Sequence, residues 1–163
     1  MIRRAVPAAT ALACLGLAAA AYGLPPFTTA AKTSPSSGSQ AKLSSAAAGC
    51  HATYDRFVLR VGSGGKPGYD VRYVSQIIAD PSGNPVSLQG TKRLRVILHN
   101  ARAHTQSGGV LLPSVKTPLC PNLRQLKLAG DFEGVVTFGL GLRRKTGFRV
   151  FRLSGRTVID IRH

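Results

Sequence analysis

From residue 54 onward the chain alternates apolar and polar residues with a period of two, in one run after another. In "YDRFVLRVG", Phe57, Leu59 and Val61 share one face, and Arg56, Val58 and Arg60 share the other. "YDVRYV" groups Tyr69, Val71 and Tyr73. "KRLRVILHN" groups Leu94, Val96 and Leu98, with Arg93 and Arg95 opposite. "NLRQLKLAG", "VVTFGLG", "FRVFRL" and "TVIDI" continue the pattern to the C-terminus. Period two marks half-buried strands. The runs are punctuated by "GSGGKPG", "DPSGNP", "HTQSGG", "LCPN" and "LRRKTG", all rich in turn formers. No segment of helix length carries a helical period. The pattern predicts an all-β domain, an antiparallel β-sandwich or barrel.

The sandwich is expected to be built from two similar halves. Shifting the chain by 79 positions places "YDRFVLRVGSGGKPGYDVRYVS" on "EGVVTFGLGLRRKTGFRVFRLS" without a gap. Gly62, Lys66, Gly68, Val71 and Ser75 then meet Gly141, Lys145, Gly147, Val150 and Ser154. The apolar triplets Phe57, Leu59, Val61 and Val136, Phe138, Leu140 also coincide. Each copy reads as strand, Gly-rich hairpin, strand and return strand. "RLRVILHN" and "RTVIDIRH" are the return strands, and the first copy has about 16 extra residues before its own. One such unit exposes an apolar face, and two bury those faces against each other.

The first residues have a different character. Arg3 and Arg4 precede an Ala-rich apolar run to about Leu24, followed by small residues near Ala21 and Ala31. This is the pattern of an export signal over residues 1–31, cleaved or retained as an anchor. Cys14 sits in a poor lipobox context, with Ala11 where a Leu is wanted. Residues 32–49 are rich in Ser, Ala and Pro and read as a flexible, disordered linker. The folded domain is expected over 50–163. In an exported chain, Cys50 and Cys120 point to a disulfide.

Charge narrows the partners. The chain holds 22 Lys and Arg against 6 Asp and Glu, a formal +16. Removing residues 1–31 deletes only Arg3 and Arg4 from the basic set, so the mature segment stays strongly cationic. Such a charge speaks to partners and not to fold. Nucleic acid would suit it, but an export signal argues against that partner. Arg56, Arg60, Arg93, Arg95, Arg143, Arg144, Lys145, Arg149 and Arg152 are the candidate ligand-binding residues, with Tyr69, Tyr73 and Phe148 on neighbouring strands. The plainer alternative is a solvated charged face that keeps sheet edges unpaired.

Catalysis is not expected. The chain has neither G-x-S-x-G nor H-E-x-x-H. His51, His99, His104 and His163 lack ligand spacing, so no metal site and no cofactor are expected. Asp131 and Glu133 are two residues apart and could form an acid/base pair, but a strand end at a turn, paired with nearby Arg or Lys, explains them better. Asp160 is expected to meet an arginine in the sheet, with Arg56 as the candidate.

"YDR" at Tyr54–Arg56, "GDFEG" at Gly130–Gly134 and "FRVFRLSGRTVIDI" at Phe148–Ile161 occur in an order and spacing that resembles the AMIN-like domain of exported bacterial proteins. That domain is similar to the AMIN domain that accompanies cell-wall amidases and secretins. The resemblance covers nearly all of residues 50–163. It implies a β-sandwich of similar halves and a non-catalytic envelope module, associated in the AMIN domain with peptidoglycan binding. No amidase or secretin segment follows in this chain, so it is not expected to direct an attached enzyme. The expected partner is peptidoglycan or another anionic envelope polymer, alternatively another exported protein. Membrane contact is expected only through an uncleaved signal or lipid anchor.

Overall fold

The computed structural model describes residues 23–163, and among these the chain forms eleven strands and no helix. They are β1 (Lys32–Ser34), β2 (Ala41–Cys50), β3 (Tyr54–Ser63), β4 (Gly68–Val74), β5 (Lys92–His99), β6 (Ala101–Arg102), β7 (Val115–Lys116), β8 (Leu123–Phe132), β9 (Val135–Leu142), β10 (Phe148–Leu153) and β11 (Arg156–Arg162). One sheet has the order β1-β4-β5-β9-β8-β7 and the other β10-β11-β3-β2-β6. All pairs are antiparallel except the short β2–β6 contact. The alternating apolar residues face inward from both sheets. Phe57, Leu59, Ile159 and Ile161 on one side and Leu94, Val96, Phe138 and Leu140 on the other are all buried in one core. Phe57 and Phe138 meet edge-on across the layers, with ring centroids 5.4 Å apart. The fold is therefore the all-β sandwich that the period of two predicts.

The duplication is present, with a correction to its unit. The sheets share the sub-orders β4-β5-β9-β8 and β10-β11-β3-β2, so β2–β5 and β8–β11 are equivalent quartets. Each sheet takes one strand pair from each copy. "GSGGKPG" and "GLRRKTG" are not hairpins, because β3 and β4 lie in different sheets, as do β9 and β10. Both segments carry the chain from one sheet to the other. A tight hairpin and a crossing between layers make the same local demand for Gly. The choice is made by distant partners, here β11 against β3 and β5 against β9.

Residues 32–49 are not a disordered linker. They include β1, which pairs with β4, and most of β2, which pairs with β3 from Lys42 to Cys50. Ala41, Leu43 and Ala46 are buried in the common core, in register across an irregularity at Ser44. Only one of these side chains is large, so composition alone suggests no core there. The stretch before β1 is also tied down. Thr28 exchanges backbone hydrogen bonds with Phe148 at 3.1 and 2.9 Å. The Phe27 ring lies under the Arg149 guanidinium, 4.4 Å from its centroid. Residues 27–34 thus run from the edge of one sheet at β10 to the edge of the other at β4. The leader reading over 1–31 overlaps this strap, and residues 1–22, Cys14 included, lie outside the described residues.

The extra residues of the first copy cover the outer face of the larger sheet. Ile77 and Leu88 pack with Ala129 into a second small core there. Gly139 and Gly141 of β9 allow this approach. A Cβ at Gly139 would lie 2.9 Å from Ile77 Cγ1, and one at Gly141 would fall inside the Gln89 carbonyl. In unfolding by urea, Gly141→Ala is expected to cost about 2 kcal/mol by overpacking. Gly49→Ala, with open space around it, should cost roughly 0.5 kcal/mol or less.

The Cys50–Cys120 disulfide forms, with Cα atoms 5.3 Å apart. It ties the end of β2 to the turn before β8. On the chain-entropy model, closing that span contributes about 4 kcal/mol.

Candidate functional site

The carboxylates are used mainly inside the fold. Asp160, on the outward side of β11, is fully buried beneath two arginines. Arg56 Nε and Nη2 donate to its two oxygens at 2.6 and 3.0 Å, and Arg149 Nε donates to Oδ2 at 2.9 Å. The expected Arg56 pairing is therefore present, with a second arginine added. Hydrogen bonding to Asp160 raises the Arg56 pKa above its ordinary value. Asp70 is paired with Arg72. Asp131 accepts from Ala103 N at 3.0 Å and meets His104 Nδ1 at 2.7 Å, so its partner is a histidine and a backbone amide. Glu133 is exposed in the β8–β9 turn with φ 47°. Asp55 is buried and accepts from the Asn122 and Leu123 amides, both at 2.7 Å. Among the described residues, Cys50, Asp55 and Cys120 come close enough to suggest metal ligation, but both sulfurs are spent in the disulfide.

These bonds sort the nine candidate cations, and they do not form one face. Arg56 and Arg149 share the single carboxylate of Asp160. Arg93 donates to the carbonyls of Leu88, Gly90 and Lys92, anchoring the covering segment. Arg152 points between the layers and donates to Ser34 Oγ, Pro35 O and Pro67 O. Arg95 stands half-buried on the outer side of β5, its Nε enclosed without a partner. Arg60 is exposed on β3. Arg143, Arg144 and Lys145 remain together and exposed, in the crossing between β9 and β10.

That loop is braced from below. Buried Asn122 accepts from Arg143 N through its carbonyl at 2.9 Å and from Arg144 N through Oδ1 at 3.0 Å. Its Nδ2 donates to Thr146 Oγ1 and Arg162 O at 2.9 and 3.0 Å. Asp55 holds Asn122 in turn. Lys145 Nζ lies 5.4 Å from the centroid of the Tyr73 ring. Beside the loop is a shallow hollow of about 390 Å³ between Arg143 and Arg124. Among the described residues no carboxylate pairs with these cations. The arrangement offers closely spaced positive charges on a fixed backbone. Sequence reading found the loop but not Asn122, whose only local signal is the "CPN" turn, nor Arg124.

Tyr73 closes this end of the sandwich, donating to Thr146 O at 2.8 Å and accepting from Thr146 N at 3.0 Å. Burial raises its pKa above 10.0. The folded-state value thus exceeds the unfolded one. The resulting stability is present below about pH 10 and is lost as pH rises through the folded value. The stability difference between wild type and Tyr73→Phe, measured by urea unfolding, should shrink between pH 9 and 11.

Residues 41–163 match the family model of the AMIN-like domain. No curated protein and no solved structure matches the chain. The matched span begins with β2, in agreement with the folded boundary and nine residues before the boundary expected at Cys50. With the two-sheet fold and the match across almost all of the folded residues, the chain belongs to the AMIN-like domain family.

Proposed function

We propose that this protein is a non-catalytic, exported envelope module that binds an anionic cell-wall polymer through Arg143, Arg144 and Lys145. The observation that carries this reading is the braced loop: three consecutive exposed cations on a backbone fixed by Asn122, with no carboxylate paired to them among the described residues. Family membership supports an envelope setting, and the disulfide is consistent with export. Fixed cations bind a polyanion by displacing its counterions, so affinity falls as salt rises. Peptidoglycan, with its peptide carboxylates and any attached phosphodiester polymer, supplies such charges.

The test is co-sedimentation of the oxidised chain with isolated sacculi at about 0.15 M salt. The expected result is binding that weakens with added salt and falls at least fivefold when Arg143, Arg144 and Lys145 are all changed to Gln. No co-sedimentation, or undiminished co-sedimentation of the triple variant, would refute the proposal.

A further inference from the structure

The duplication places a counterpart of the basic loop at the far end of the sandwich. Under the shift of 79, Lys145 corresponds to Lys66, Tyr73 to Arg152 and Thr146 to Pro67. The contacts correspond as well. Tyr73 Oη donates to Thr146 O at 2.8 Å, and Arg152 Nη2 donates to Pro67 O at 2.6 Å. Tyr73 packs edge-on to Phe148, and Arg152 lies over Tyr69, the residue equivalent to Phe148. The loops lie at opposite ends. Phe148, just after the basic loop, sits level with Ile161 and so with Asp55 at the start of β3, whereas Gly64–Pro67 follow its finish. Ten residues of strand separate them by roughly 30 Å.

At this far end is an open cleft of about 730 Å³ between the Gly-rich crossing and the β10–β11 turn. One wall is nearly bare backbone, Gly62 to Gly65. Gly64 adopts φ 93° and its missing Cβ makes room for the Gln40 carbonyl behind it. Lys66 and Arg156 line the cleft and are exposed, with Arg152 in its floor. Arg156 is directly opposite Arg60 on β3. Like charges in that position repel and destabilise a sheet, and neither arginine meets a carboxylate. The cleft lining contains no acidic residue at all. The Gly65 and Lys66 amides are spent on Ser39 O and Ser37 O, so it is the exposed cations and the unrelieved arginine pair that suit an oxyanion.

We propose that this cleft is a second oxyanion site, so that one molecule carries a site at each end and joins two anionic polymer chains. This rests on the reading of the basic loop given above. The oxyanion is a carboxylate or a phosphate. Separate titrations with tri-glutamate and tripolyphosphate distinguish those sources.

The experiment is isothermal titration of the full oxidised chain with each probe. Two equivalents are expected to bind the wild type with at least one probe. Lys66→Gln/Arg156→Gln should bind one, the triple Gln variant of the basic loop should bind one, and the combined variant none. All substituted side chains are exposed, and unchanged thermal melts confirm the fold. A single equivalent in the wild type with both probes, or a stoichiometry unaltered by Lys66→Gln/Arg156→Gln, overturns the second site. If sacculus binding fails while two equivalents are still titrated, the envelope-polymer reading falls and the cleft stands. If sacculi are bound but only one equivalent is titrated, the cleft falls alone.

Discussion

A chain cut before Gly147 is expected to lose cooperative folding altogether. The lost segment, β10 and β11, pairs with β3 along seven positions from Arg156 to Arg162. It also removes Phe148, Val150, Ile159 and Ile161 from the core. Each buried large apolar side chain is worth about 2 kcal/mol, so the four together approach the whole stability of a small domain. β3 would be left as an open edge, and Phe57 and Leu59 would lie beside water. Circular dichroism and a thermal melt are the measurements. A sigmoidal melt from the truncated chain would show that β1–β9 hold together without the closing pair.

Asp160→Ala is expected to destabilise by about 3 kcal/mol, the scale for removing one partner of a buried ion pair. The reason is what stays behind. Arg56 and Arg149 would face each other across β11 with their side chains only 24% and 13% exposed. Phe27, Tyr54 and Phe151 surround them and supply ring faces but no formal negative charge. Arg149→Met should restore part of the loss when added to Asp160→Ala, since it removes a stranded charge while keeping apolar bulk. Urea unfolding of the single and double variants reads both effects. A cost below 1 kcal/mol for Asp160→Ala would mean that water reaches the pair.

The strands that bury large apolar residues at every second position were legible, because β3 and β9 write their inward face in Phe, Leu and Val, and β5 in Leu and Val. β2 was not, because its inward face is written in Ala41, Leu43 and Ala46, and an interrupted register hides the alternation. The Cys50–Cys120 link and the Arg56–Asp160 pair needed only the types of residue present. The fate of the other arginines needed the fold. Arg93 and Arg152 are consumed by backbone carbonyls in segments without acidic residues, so no charge pattern announces them. Lys66 was already aligned with Lys145 by the repeat. Its role stayed hidden because the Gly-rich stretch was read as a hairpin within one sheet, which would have placed it away from Arg156.

The strap through Phe27 and Thr28 has a consequence for maturation. A signal peptidase cutting near Ala31 would remove the backbone pairing to Phe148 and the ring beneath Arg149. A cut near Ala21 would leave both. If a leader is removed, only the earlier of the two cuts would preserve the strap. What reads as spare length in the sequence is a seam, sewn from one sheet to the other.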